Sequence, residues 1–351
     1  MKIKLTPKKE VFNFCKPYII AEIASNHNGD MELAKKLIIA AKEVGADCVK
    51  FQSWSKETIF SGNVYKDNYF LTDDYRSRTD YTLEDIVKKF AMSEKKLLEM
   101  KKFSKKVGID FASTPFSERE ADYLVDRLKA PFIKIASMDV NNYPFLKYIA
   151  KKSLPVVLST GLSELYEIDR AVRTIENCGN TRIVILYCIS SYPPSDKDID
   201  LNSIETLRRL YPYPIGFSDH TLGFCIPLAA IAKGACVVEK HFTLDKTLFG
   251  WDHKISATPD ELKIICEGSA RINSALGTGR IKCKETKERK IAFRRSIVTA
   301  RDIKKGEIIR ERDIALKRPG SGIEPQYFDF IIGRKARRNL KKDEVINPDD
   351  I

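Results

Sequence analysis

The sequence predicts an α/β fold, a closed (β/α)8 barrel followed by a small β-rich domain, and three observations carry that expectation. Eight short β-branched runs recur up to residue 243, amphipathic helical patterns separate them, and beyond residue 294 the alternation stops. Near-continuous apolar strands alternating with helices imply a parallel sheet covered on both faces, and eight such units close into a barrel. An open doubly wound sheet is the alternative, but no GxGxxG turn follows the first run.

The runs, in order, are YIIAEIA (18 to 24), CVKFQS (48 to 53), DFASTPF (110 to 116), FIKIAS (132 to 137), PVVLST (155 to 160), RIVILYCIS (182 to 190), PIGFSDH (214 to 220) and CVVEKHFT (236 to 243). Between the first two, DMELAKKLIIAAKEVGA predicts a helix with Asp30 as N-cap, Leu33, Leu37, Ile38 and Ala41 on one face, and Gly45 closing it. The stretch from Trp54 to about Tyr81 is too long for a plain βα loop and is expected to form a lid or substrate loop. A last helix is expected from Leu262 to about Leu276. The domains are therefore 1–280 for the barrel, 281–293 for a charged linker and 294–351 for the small β-rich domain.

Composition excludes several classes. No apolar stretch approaches the roughly 20 residues of a membrane span, and the N-terminal segment lacks a signal-peptide core, so a soluble cytoplasmic protein with no membrane partner is expected. Eight cysteines without CxxC spacing argue for buried reduced thiols, Cys188 included. The net charge is +13, and residues 284–351 hold 19 basic against 12 acidic side chains, seven of that excess. The basic residues are interleaved with Asp and Glu, and no nucleic-acid motif appears. A small anionic substrate suits the charge better than nucleic acid does.

Barrel chemistry occurs where the strands end, and here nearly every run ends in polar groups. They are Glu22, Lys50 with Gln52, Ser113 with Thr114, Lys134 with Ser137, Ser159 with Thr160, Ser190, Ser218 with Asp219 and His220, and Glu239 with His241. Lys50 and Lys134 lie inside apolar strands, so each needs an anion. Either one is a Schiff-base lysine, as in an aldolase, or both hold a bound phosphate and carboxylate together with the neighbouring hydroxyls. His220 and His241 end adjacent runs, in a chain with only four histidines. They read as ligands of a divalent metal, as an acid and base pair, or as packed core histidines.

The segments AEIASNHNGD, VKFQ, STPFS, KIAS, NNYP, LSTG, GFSDHT, EKHFTLDK and KRPGSGI occur here in order. In sequence and spacing they resemble the sialic acid synthases, the N-acetylneuraminate synthase family, along essentially the whole chain. The resemblance implies a (β/α)8 barrel with a small antifreeze-like (SAF) domain and a domain-swapped homodimer. It also implies a transferase that forms a C–C bond between phosphoenolpyruvate and an N-acetylmannosamine-like amino sugar, giving a nine-carbon 2-keto-3-deoxy acid and phosphate. By that resemblance Lys50 and Thr114 would hold the phosphoenolpyruvate carboxylate, and Lys134, Ser137, Ser159 and Ser218 its phosphate. His220 and His241 would bind Mn2+ or Mg2+, Glu239 would be general base, and Glu22 would contact sugar hydroxyls or the reacting water. Gln52 and Tyr192 would touch the sugar, and Arg318 would reach it from the partner subunit. The basic tail would then close over an acidic substrate.

One departure concerns the acceptor. CISSYPPS places Ser190 where neuraminate-making relatives carry asparagine, and relatives making pseudaminic or legionaminic acid carry small hydroxylated residues there. A diacetamido-trideoxyhexose acceptor is the alternative this suggests. LFGWDHKIS also departs from the family pattern, so Trp251 and His253 either line the acceptor pocket or pack a loop.

Overall fold

The computed structural model describes residues 1–70 and 73–351. The eight expected runs become eight parallel strands: β1 (Tyr18–Ala24), β2 (Cys48–Ser53), β3 (Asp110–Pro115), β4 (Ile133–Ile135), β5 (Val156–Ser159), β6 (Ile183–Cys188), β7 (Ile215–Asp219) and β8 (Val237–His241). They form one sheet in the order β3-β2-β1-β8-β7-β6-β5-β4. The short β4 packs beside β3, which brings the two ends of the sheet together as a barrel requires.

Side chains alternate across each strand, and register turns that alternation into layers. Glu22 pairs with Lys50 on one side and His241 on the other, Gln52 with Thr114, and Ser218 with Glu239. Below this polar layer the interior is apolar. Ile20, Cys48, Ala112, Val157, Leu186 and Val237 cluster there with Ile3, Leu5 and Val11 of an N-terminal hairpin (Ile3–Thr6 with Lys9–Val11). The barrel thus has a packed floor at one end and ionisable groups at the other.

The first crossover helix runs Met31–Glu43. Asp30 caps it by accepting from the backbone N–H of Glu32 at 2.8 Å, and Gly45 follows at φ 92°, a left-handed conformation that glycine adopts without strain. Its buried face is Ala34, Leu37, Ile38 and Ala41, so the small Ala34 takes the place expected of Leu33, which is half-buried. The last barrel helix begins earlier than expected, at Pro259 rather than Leu262, because Thr258 and Glu261 form a capping box.

The expected insertion from Trp54 to Tyr81 contains Leu71 and Thr72, which lie outside the described residues. Its described part has helices Lys56–Ile59 and Gly62–Asp67 and a short pair, Tyr69–Phe70 with Asp73–Asp74. Trp54 and Tyr75 pack with Leu83, Ile86, Val87 and Phe90 into a cluster that Trp251 joins.

The chain divides into two compact units, Met1–Thr278 and Gly279–Ile351. The stretch read as linker carries a helix at Lys287–Phe293, capped by Thr286, so that part is ordered. In the second unit β9 (Ser296–Thr299) pairs antiparallel with β10 (Ile314–Lys317) over a core of Ile297, Ile303, Ile309, Ile314, Leu340 and Ile346. Two arginines repeat one pattern there. Arg301 bonds carboxylates 6 and 12 residues on, Glu307 and Asp313, and Arg338 does the same with Glu344 and Asp350. Part of the basic character of this unit is therefore internal pairing.

Candidate active site

The polar layer converges at the C-terminal end of the barrel. Lys50 Nζ lies 2.6 Å from Glu22 Oε2, donates to Thr114 Oγ1 at 2.8 Å and is 3.7 Å from Glu239 Oε2. Lys134 Nζ is 3.7 Å from Glu239 Oε1 and donates to the Ile135 carbonyl at 3.2 Å, and Ser218 Oγ donates to Glu239 Oε1 at 3.2 Å. Glu22, Lys50, Thr114, Lys134, Ser159, Ser218 and Glu239 are all buried. The separation of Lys134 from Glu239 is too long for a hydrogen bond, so an ammonium with three donors is poorly filled. Ser159 Oγ is buried with no hydrogen-bond partner.

The two carboxyls are driven apart in acidity. Burial pushes Glu22 up to about 8, helped by the neighbouring Glu239 and opposed by Lys50. Burial acts on Glu239 in the same sense, but Lys134, Lys50 and His220 outweigh it and hold this carboxyl below its ordinary value. Burial lowers Lys134, whereas Glu22 and Glu239 more than offset burial at Lys50 and raise it. Glu22 therefore holds its proton to a higher pH than Glu239, which stays the more acidic carboxyl beside the two lysines.

Ser137 accepts from the Gly161 backbone N–H at 3.0 Å. A Cβ at Gly161 would stand 2.2 Å from Ser190 Oγ and 2.7 Å from Ser137 Oγ, so only glycine lets the β5 end approach these hydroxyls. Gln52 Nε2 is 3.4 Å from Glu22 Oε1, and the Trp54 indole N–H donates to Gln52 Oε1 at 3.1 Å.

The two histidine rings lie 5.5 Å apart between centroids, and the ring of Tyr192 is 4.2 Å from His220 and 6.1 Å from His241. His220 Nδ1 is 2.8 Å from the Ile189 carbonyl, which can only accept, so Nδ1 carries a proton and Nε2 has a lone pair in the neutral ring. Burial lowers the pKa of His220, but Cys188 and the Ile189 carbonyl outweigh it and raise it. His241 Nδ1 is a buried nitrogen with no hydrogen-bond partner, and burial together with His220 and Lys50 holds this ring well below its ordinary pKa, hence neutral. Two imidazoles with such nitrogens fit a divalent ion. Among the described residues no group of three or more His, Cys, Asp and Glu side chains could hold a metal, so the protein would supply only these two histidines.

Arg318 lies in the second unit, exposed, with its guanidinium 5.3 Å above the Phe293 ring. The alternatives for the β8 loop resolve towards packing. His253 is fully buried, its Nδ1 2.7 Å from Thr243 Oγ1 and its Nε2 3.2 Å from Asn28 Oδ1. Trp251 donates to the Tyr75 hydroxyl at 2.9 Å and tilts against Trp54. Sequence reasoning missed Asp252, whose Oδ2 is 3.8 Å from His241 Nδ1 and accepts from Ser25 at 3.3 Å. It also left Cys188 as packing, although its sulfur is 3.9 Å from His220 Nδ1 and 3.6 Å from Ser137 Oγ.

Residues 37–281 match the model of the NeuB family, and residues 294–351 match that of the SAF domain. The chain belongs to the NeuB family. This NeuB-family chain is 40% identical over 334 residues to the N,N'-diacetyllegionaminic acid synthase of Campylobacter jejuni, covering 94% of this chain and 99% of that one. The pseudaminic acid synthase of the same organism is 32% identical over 335 residues, covering 95% and 96%. Among solved structures, the N-acetylneuraminic acid synthetase of Leptospira borgpetersenii aligns with a TM-score of 0.74 at 34% identity, covering 83% of this chain and 95% of that one. These relatives are sugar acid synthases, and this chain shares the family's barrel and SAF domain. Among the described residues no helix is long and apolar enough to cross a membrane.

Proposed function

We propose that this chain is a C–C bond-forming transferase that condenses phosphoenolpyruvate with an amino-sugar aldehyde, releasing phosphate and a nine-carbon 2-keto-3-deoxy acid. The observation that carries this is the pair of buried lysines at the strand ends, Lys134 underfilled beside the unpartnered Ser159 hydroxyl. Such a cradle stabilises a polyanion and is costly without one. Lys50 and Thr114 take the carboxylate, and Lys134, Ser137, Ser159 and Ser218 take the phosphate.

His220 and His241 hold Mn2+ or Mg2+, which, when bound, supplies Lewis-acid polarisation of the acceptor aldehyde. The chain's own groups handle the protons. Carbon 3 of the enol attacks the aldehyde carbon, and protonated Glu22 is placed to supply a proton as oxygen charge develops. Ionised Glu239 takes a proton from the water that adds at carbon 2, and phosphate then leaves with C–O cleavage. Two carboxyls of opposite protonation thus serve the two ends of one reaction. Gln52, with its carbonyl engaged by Trp54, offers its N–H to sugar oxygens, and Tyr192 lies over the histidines as a sugar platform.

The higher identity to the N,N'-diacetyllegionaminic acid synthases, 39% and 40%, than to the N-acetylneuraminate-9-phosphate synthases, 34% and 31%, supports a diacetamido-trideoxyhexose acceptor, as does a hydroxyl at Ser190. N-acetylmannosamine is the second acceptor to test. Phosphate release from phosphoenolpyruvate should require both an amino sugar and a divalent ion and should stop with EDTA. Mass spectrometry of the product separates the acceptors. Absence of phosphate release with every sugar in Mn2+ or Mg2+ would overturn the assignment. The lowered pKa of Lys134 favours one rival, a Schiff-base aldolase, which borohydride with pyruvate would trap as a covalent adduct.

A further inference from the structure

A buried ion pair lies on the outer wall of the barrel, between the two strands that carry the histidines. Asp219 and Lys240 are register partners on β7 and β8, and Lys240 Nζ donates to Asp219 Oδ2 at 2.6 Å. Both side chains are 0% exposed, which no other ion pair among the described residues matches. Lys240 also donates to the Thr221 carbonyl. Asp219 Oδ1 accepts from both the backbone N–H and the hydroxyl of Thr221, at 2.9 and 2.8 Å. Because strand side chains alternate, these groups face the helix layer while Ser218, His220, Glu239 and His241 face the interior.

A buried ion pair stabilises little compared with apolar groups of the same shape, so its position rather than its energy needs a reason. Here the position is informative. Asp219 precedes His220 and Lys240 precedes His241, so the pair locks the strand ends that aim the two rings. The Asp219–Thr221 bonds bracket His220 from both sides in sequence, and the Lys240 ammonium ties that bracket to β8.

We propose that Asp219, Lys240 and Thr221 are positioning residues that set the separation and orientation of His220 and His241 for a shared divalent cation. This rests on the assignment of the two histidines as metal ligands. None of the three touches substrate. They act through strand register, from the face of the sheet opposite the reacting atoms.

The test is Asp219→Asn with Lys240→Met in the full-length chain. The double variant removes both charges together, and the amide oxygen still accepts from Thr221, so no buried charge is left uncompensated. Thermal unfolding should stay close to the parent. Mn2+ titration followed by the electron-spin signal of the free ion should give a dissociation constant about tenfold weaker or more, the scale of lost outer-shell support at metal sites. A folded double variant that binds Mn2+ within twofold of the parent would overturn the proposal. Should the double variant fail to fold, Thr221→Val removes only the hydroxyl bond and should still weaken Mn2+ severalfold; unchanged binding there would count equally against it.

His220→Ala separates this from the underlying assignment. If the parent binds no Mn2+ that His220→Ala abolishes, the metal reading falls. The positioning claim is then decided by imidazole 15N resonances, which are tractable because the chain has four histidines. Shifted or broadened His220 and His241 signals in the double variant would support it, and unchanged signals would sink it.

Discussion

At the scale of single residues the decisive feature is the split between Glu22 and Glu239. Burial raises Glu22 to about 8 from 4.5, so across that window the folded chain holds a proton the unfolded chain has lost. The associated stability is complete below about pH 4.5 and disappears as pH rises through about 8, with a slope of up to ~1.4 kcal/mol per pH unit. Glu22→Gln should therefore flatten the decline in unfolding free energy between pH 5 and pH 8.5, measured by denaturant titration. If Glu22 donates its proton in the reaction, parent kcat should also fall through that upper limit, and the glutamine variant should be slow at every pH. Most site residues were legible because a lysine or glutamate inside an apolar run has no cheap structural explanation. Asp252 and Cys188 were not, since an aspartate in a polar loop and a cysteine in a strand have ordinary roles that only contact with His241 and His220 overrides. Asp219 and Lys240 showed only as polar strand residues, because their partnership depends on register.

At the scale of elements, all eight strands were readable from apolar runs bounded by turns, and the caps at Asp30 and Thr258 explain where the neighbouring helices start. What periodicity could not fix was which small residue faces the sheet, as at Ala34, or that a charged stretch would order as the helix Lys287–Phe293. Loop pairing was equally hidden. The β1 loop is fastened to the β8 loop by Asn26, which donates to the Phe242 carbonyl at 2.9 Å and to Ser256 Oγ at 2.8 Å, and by Asn28 against His253. Burial drops both His27 and His253 to about 4 from 6.5. A depressed folded pKa gives stability that is complete above about 6.5 and is lost as pH falls through about 4. Acid should thus loosen this latch in that interval. His253→Asn should cost about 1–3 kcal/mol at pH 7 through the lost buried bonds, yet lose less between pH 6.5 and 4 than the parent. Unfolding measured at both ends of the interval checks this, and equal acid losses in the two proteins would count against the latch.

At the scale of the whole molecule, the chain splits into a barrel unit and a SAF unit in which Arg301 and Arg338 pair internally with carboxylates. A domain of this size has a small core, and Arg318 is an exposed cation that lies, like Arg289, over the Phe293 ring and outside those internal pairs. We propose that Arg318 serves the acceptor site of the partner subunit in a domain-swapped homodimer. Arg318→Ala should raise the acceptor KM strongly while leaving phosphoenolpyruvate binding and the dimer unchanged, because a planar guanidinium bonding sugar oxygens has no substitute in alanine. Mixing that variant with Glu22→Ala, each nearly inactive alone, gives a sharper test. If subunits exchange at random, about half of the dimers are mixed, and in each of those one of two sites joins an intact barrel to an intact arginine. Activity should then return to about a quarter of the parent value per site. Were Arg318 to act on its own barrel, every site in the mixture would carry one defect and no activity would return, whatever the degree of exchange.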